Sequence, residues 1–260
     1  AHRGMIVDRH GEPLAISTPV HSVWLNPQDV LASDPRIPQL AQLLGLSVQK
    51  IKNKIEENQS REFVYLKRRI TPELSAKVKE LGIQGVALQR EYKRYYPAGE
   101  VASHIVGFTN IDDIGQEGLE LTYDAVLTGR PGLKRMVRDS RGNYVEGGEL
   151  IRPAKSGENV QLSIDLRLQY LTYQALKKTV AEHQAKSGTA VILDTRTSEV
   201  LAMANQPSYN PNNRAGLKPS DLRNRAVTDL FEPGSTVKPF TVVSGIKSGE
   251  FDQSTIINTH

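Results

Sequence analysis

Glu232-Pro233-Gly234-Ser235-Thr236-Val237-Lys238-Pro239-Phe240 is the stretch on which the reading of this chain turns. Pro233-Gly234 forces a turn, and the apolar residues Phe240, Val242, Val243 and Ile246 follow it. Pro239 fixes where a helix can begin. Inside a helix its ring would clash with the carbonyl four residues back, that of Ser235, so Ser235 has to sit at the helix entrance. A serine and a lysine three residues apart share one helix face, which puts the Lys238 amine within reach of the Ser235 hydroxyl. A hydroxyl is a weak nucleophile at neutral pH and needs a neighbouring base. A lysine can be that base where burial or a nearby positive helix end lowers its pKa.

The Ser-x-x-Lys pattern alone has little value, because Ser47-Val48-Gln49-Lys50 and Ser244-Gly245-Ile246-Lys247 also satisfy it. Setting separates them. Ser47 precedes a Lys-rich segment with a solvated face, and Ser244 falls near a helix end at Gly249. Only Ser235 follows a forced turn and opens an apolar helix.

Composition narrows the class. A chain of 260 residues with 38% hydrophobic and 24% charged residues can hold two domains and a sizeable core. A net charge of +4 permits anionic partners without requiring them, and the basic clusters around Lys67–Arg69, Arg90–Arg94 and Arg130–Arg141 belong to no nucleic-acid-binding module. With no cysteine there is neither a disulfide nor a thiolate metal site. The six histidines show no paired ligand spacing. No apolar run approaches a membrane span, and Ala1-His2-Arg3-Gly4 has no signal-peptide character; these opening residues read as the middle of something longer.

Along the chain, residues 4–26 read as short extended segments with alternation through Val20, Ser22 and Trp24. Leu40, Leu43, Leu44, Val48, Ile51 and Ile55 have helical spacing, and Gly45 divides them into two helices. Thr71-Pro72-Glu73 opens a further helix that ends near Gly82. Val86–Tyr96 reads as strand, and Gly115–Gly132 as helical at its centre with Glu117, Glu120 and Asp124 on the polar side. A boundary falls near Ile151–Asn159. Val160–Ile164 reads as strand and Asp165 as the cap of the helix that follows. Thr189–Leu193 and Glu199–Ala204 form an expected hairpin. After the loop Pro207–Asn213 comes the serine helix, expected to be buried.

With these pieces in order, the chain resembles the class B, monofunctional penicillin-binding proteins, and among them the septal cell-division transpeptidases of Gram-negative bacteria. Arg3-Gly4-x-Ile6-x-Asp8-Arg9-x-Gly11 is similar to the family's opening motif. Arg94-Tyr95-Tyr96-Pro97 with His104-Ile105-Val106-Gly107-Phe108 is similar to the second. Gly118-Leu119-Glu120 and Arg138-Asp139-x-x-Gly142 are similar to the third and fourth. Ile164-Asp165-x-Arg167-Leu168-Gln169 opens the transpeptidase part, and Asn224-Arg225 to Lys238 carries the nucleophile. Septal over elongation-specific relatives is favoured by wording such as Tyr209-Asn210-Pro211-Asn212-Asn213.

The resemblance implies an α+β fold. An elongated non-catalytic pedestal spans residues 1–155, for dimerisation or partner docking. The first part of a penicillin-binding transpeptidase domain, an antiparallel sheet with helices on both faces, spans 156–260. It implies a peptidoglycan D,D-transpeptidase with Ser235 as catalytic nucleophile and Lys238 as its base, without cofactor or metal. The expected partners are D-Ala-D-Ala stem peptides, beta-lactams and division-machinery membrane proteins including the septal glycosyltransferase, and no nucleic acid. It places this region in the periplasm, on an inner-membrane anchor absent from the chain. Arg3, Asp8, Arg94 and Glu120 are expected to form a network tying two lobes together.

One departure matters. The family also uses a Ser-x-Asn and a Lys-Thr/Ser-Gly beyond the nucleophile. Here Ser208-Tyr209-Asn210 precedes Ser235, as do the Lys-Ser-Gly runs at Lys155 and Lys186, and the run at Lys247 lies too close to face it. The 260 residues alone are therefore expected to be an inactive fragment. Two other classes stay in view. A serine beta-lactamase or its sensor relative would lack a pedestal of this length. In a purely structural docking protein the serine would be vestigial, against which the intact Ser235–Lys238 pair argues.

Overall fold

Strand β2 (Pro13–Leu25) is the spine of the N-terminal half. The computed structural model describes residues 2–135, 137–138, 144–145 and 150–257. Strand β1 (Ile6–Val7) and strand β3 (Val64–Ile70) share one edge of β2, against Pro13–Ala15 and His21–Leu25 respectively. Its other edge pairs antiparallel with β4 (Val86–Tyr95), from Ile16 opposite Tyr95 to Leu25 opposite Val86. Pro19 falls between the β1 and β3 contacts, where only one edge is paired and a missing N–H is tolerated.

The apolar spacing of the helices is borne out. In α1 (Ile37–Leu44) Ile37, Leu40, Ala41 and Leu44 are buried, and Gly45 ends the helix at φ 62°. In α2 (Val48–Glu56) Ile51 and Ile55 are buried. Helix α3 (Pro72–Glu80) starts on Thr71, whose hydroxyl accepts from Leu74 N. These helices close a core with Val23, Leu25, Leu66 and Ile70 of the sheet. The alternation in β2 is more complex than the sequence reading. Val23 and Leu25 face the helices, yet Ser22 is also buried. On its face Ser22 donates to Glu91 Oε2 at 2.6 Å, and Glu91 is paired with Arg68.

Below this lobe lie α4 (Ser103–Val106), β5 (Phe108–Thr109), β6 (Gly115–Glu117), α5 (Gly118–Thr122) and α6 (Asp124–Leu127). The expected network of Arg3, Arg94 and Glu120 is present, but Glu120 is fully buried rather than on the polar side of its helix. Its Oε2 accepts from Arg3 Nε and its Oε1 from Arg94 Nε, both at 2.6 Å. The two arginines therefore share one carboxylate. Asp8 is not in that network. Its carboxylate accepts from His10 N, Glu12 N and Leu166 N, joining the N-terminal turn to the helix that begins at Leu166. Burial raises the Asp8 pKa, but those N–H donors outweigh it and hold the carboxyl below its ordinary value.

Gly107 shows why a glycine is needed here. Its φ is 76°, and an added Cβ would lie 1.8 Å from the carbonyl oxygen of Glu117. Gly107→Ala is expected to cost at least the ~1–3 kcal/mol of a strained backbone position, read from the urea midpoint.

Short strands β7 (Leu133–Lys134), β8 (Val137–Arg138), β9 (Tyr144–Val145) and β10 (Leu150–Arg152) follow, pairing β7 with β10 and β8 with β9. Asp139 and Gly142 of the fourth motif lie outside the described residues. Of the strand read at 160–164 only β11 (Val160–Gln161) is paired, parallel to β1. Beyond it Ile164 O accepts from Arg9 N and Asp165 N donates to Leu201 O, so the chain leaves the sheet to enter α7 (Leu166–Glu182). Strands β12 (Gly188–Leu193) and β13 (Val200–Gln206) form the expected antiparallel hairpin, against which α7 packs. The chain divides into two compact units, Ala1–Ala226 and Val227–His260. Helix α8 (Arg225–Thr228) lies at their junction, and α9 (Lys238–Ser248) belongs to the second.

Candidate active site

The second unit places Ser235 as its sequence dictates. Gly234 adopts φ 54° and opens a 3₁₀ turn over Gly234–Val237, which runs directly into α9. Pro239 stands in the first turn of α9, where its missing N–H costs nothing. Ser235 lies within the 3₁₀ turn, and Lys238, three residues on, is the first residue of α9. Both are exposed, and no hydrogen bond joins their side chains among the described residues. Residues at such an entrance have N–H groups without intrahelical acceptors, beside the positive dipole end of α9. The helix was expected to be buried, but none of its residues is. A unit of this size has too little chain to bury an apolar face by itself.

Of the competing serines, Ser47 has structural work. Ser47 is the N-cap of α2, its Oγ accepting from Lys50 N at 3.2 Å. Ser47→Ala is expected to cost ~1 kcal/mol of stability in urea unfolding. Ser244 stands inside α9, whose end is set by Gly249 at φ 75°. The Lys-Ser-Gly runs are equally accounted for. Lys155 bridges backbone to backbone with Arg130, Gly188 begins β12, and Lys247 sits in the last turn of α9.

Ser208-Tyr209-Asn210 belongs to an anchored loop. Ser208 Oγ donates to Glu100 O at 2.8 Å, and buried Tyr209 donates to Ser103 O at 3.0 Å. Asn212 grips Tyr96 twice, through its Oδ1 to Tyr96 N and its Nδ2 to Tyr96 O. The sequence reading missed these anchors. So too it missed Gln169, a fully buried amide that donates to Val101 O and Met203 O and accepts from Met203 N. Their signal was available only as polar residues inside motif-bearing segments.

His104 completes the anchoring, its ring paired with Asp221 O at 2.9 Å. Burial, aided by the Arg225 cation, lowers its pKa below 6.5. A neutral ring donates to that carbonyl through Nε2. Because burial holds the folded value below the unfolded one, the neutral buried ring contributes stability that is complete above pH ~6.5 and fades as pH falls through the folded value, where the ring must carry a desolvated charge. The stability difference between wild type and His104→Gln is therefore expected to shrink between pH 8 and pH 5. A gap that stays constant would contradict this.

Among the described residues no group of three His, Asp or Glu side chains could hold a metal, and no helix is long and apolar enough to cross a membrane.

Residues 1–162 match the penicillin-binding protein dimerisation domain, and residues 188–260 match the penicillin-binding protein transpeptidase domain. This chain belongs to the penicillin-binding proteins. It is 43% identical over 256 residues to a probable peptidoglycan D,D-transpeptidase, PbpC, of Pseudomonas aeruginosa, covering 98% of the chain and 45% of that protein. Over 262 residues it is 43% identical to the peptidoglycan D,D-transpeptidase FtsI of Escherichia coli, covering 99% of the chain and 44% of the relative. The chain thus spans about half the length of the curated relatives it matches. Among solved structures, penicillin-binding protein 2X of Streptococcus thermophilus superposes with a TM-score of 0.70 at 26% identity, over 98% of this chain and 42% of that one. The mixed fold, with a dimerisation domain ahead of the start of a transpeptidase domain, is the one the sequence motifs implied.

Proposed function

We propose that the protein to which this chain belongs is a peptidoglycan D,D-transpeptidase of septal cell wall, acting through an acyl-enzyme on Ser235. The observation that supports this most is a serine on a 3₁₀ turn at a helix entrance, with a lysine three residues on. That pair lies inside the segment matched to the transpeptidase domain. Ser235 Oγ attacks the carbonyl between two D-alanines, while Lys238 takes its proton and passes it to the departing amine. The C–N bond breaks, and the terminal D-Ala leaves. An amine from a neighbouring stem peptide then attacks the ester, forming the cross-link and freeing the serine. The Ser235 N–H is one donor to the developing oxyanion. Beta-lactams acylate the same hydroxyl.

In this reading residues 1–155 are the pedestal, 156–260 begin the transpeptidase domain, and division-machinery membrane proteins are the partners. The protein would stand in the periplasm on an inner-membrane anchor. Peptide mapping tests the assignment of the nucleophile. After reaction of the full-length protein with benzylpenicillin and tryptic digestion, the adduct is expected in the peptide Ala226–Lys247, on Ser235 when that peptide is fragmented. An adduct on Ser244, or in the Ser47 peptide, overturns it.

A further inference from the structure

A cavity of about 590 Å³ lies between α3 and the sheet, far in sequence from the serine turn. Its apolar walls include Val78, Ile83, Val86 and Leu88, and its basic side chains are His21, Lys79 and Arg90, with no carboxylate in the lining. His21 and Arg90 stand directly opposite each other on β2 and β4. Cross-strand neighbours of this kind have Cβ atoms ~5 Å apart, and two basic groups there gain nothing from each other.

Neither Arg90 nor Lys79 has an ion pair or a side-chain hydrogen bond among the described residues. In the same lobe Arg36, Arg68 and Arg69 are paired with Asp34, Glu91 and Asp113. Lys79 also faces the carbonyl end of α3, which offsets part of its charge. Arg90 is relieved only by the face of Tyr92, its guanidinium lying 5.7 Å from that ring's centroid.

We propose that this cavity is a binding site for a small amphipathic anion, a carboxylate or phosphate on an apolar body. The anion would pair with the Arg90 guanidinium and the Lys79 ammonium, and the apolar body would lie against Val78, Ile83 and Leu88. The volume suits such a ligand, as does an apolar lining with few converging polar groups. The site is independent of the Ser235 chemistry.

Octyl phosphate is the probe, titrated into the 260-residue chain by calorimetry, with inorganic phosphate and octyltrimethylammonium beside it. Saturable one-to-one binding of octyl phosphate is expected, about tenfold or more tighter than inorganic phosphate because of the buried chain. Exposed Arg90 can be replaced without loss of folding, and Arg90→Gln is expected to weaken octyl phosphate about tenfold or more. Lys79→Gln is expected to weaken it as well. Absence of saturable binding overturns the proposal, as does equal affinity for the ammonium probe or for inorganic phosphate. Unchanged affinity in Arg90→Gln also overturns it.

Discussion

Ser235→Ala in the full-length protein is expected to bring labelling by a fluorescent penicillin below detection, whereas Ser47→Ala and Ser244→Ala keep it. The contrast follows from what each hydroxyl already does. Ser47 is committed to capping α2, and Ser244 lies within α9. Ser235 is exposed on the turn that precedes it. Lys238→Arg separates charge from base strength, because a guanidinium keeps the positive charge and cannot give up its proton. Acylation is expected to fall ~10²–10⁴-fold, the scale of a lost general base. Stopped labelling over a time course measures both effects. Labelling that survives in Ser235→Ala, or a near wild-type rate in Lys238→Arg, would move the nucleophile or the proton transfer elsewhere.

The place of the helix start beside Ser235 was legible because local rules fix it. Pro-Gly ahead of Ser235 and proline behind Lys238 leave one place for a helix to start. The same holds for Gly45 between α1 and α2, and for Thr71 at the cap of α3. Asp165 caps α7 through Arg167 N and Leu168 N. Each of these depends on residues a few positions apart. What failed depends on partners far along the chain. Periodicity placed Glu120 on a polar face; only the motif resemblance grouped it with Arg3 and Arg94, which do converge on it. Asp8 was grouped with that network by its place in a motif, yet its carboxylate is held by backbone N–H groups, one of them on Leu166. The 160–164 segment has strand composition throughout, but only Val160 and Gln161 find ladder partners, in Ile6 and Val7. Loop anchors such as Asn212 on Tyr96 leave no trace in hydrophobic pattern, since polar residues in a Pro/Asn-rich loop also suit plain solvent exposure.

Glu120→Ala should be the most destabilising single change in the N-terminal unit, at ~3–5 kcal/mol, the range for breaking a buried ion pair from one side. Burial decides the size. Arg3 and Arg94 are 3% and 4% exposed and Glu120 is 0% exposed, so water cannot take over for the lost carboxylate. The two arginines would not suffer equally. Arg3 keeps Asp124 Oδ1 at 2.7 Å, Thr128 Oγ1 and the carbonyl oxygens of Asp113 and Glu120. Among the described residues Arg94 keeps only the Ser17 hydroxyl as a hydrogen-bond partner, and its Nη2 already has none. Most of the cost should therefore come from the stranded Arg94 charge. Removing that charge as well tests the argument. Urea unfolding of Glu120→Ala, Arg94→Met and the double variant should show the double costing well below the sum of the singles, because the second change discharges what the first left unpaired. Additive losses would mean that packing around Glu120 carries the energy instead. A loss below ~1 kcal/mol in Glu120→Ala, the size expected of an exposed pair, would show that the site admits water once the carboxylate is gone.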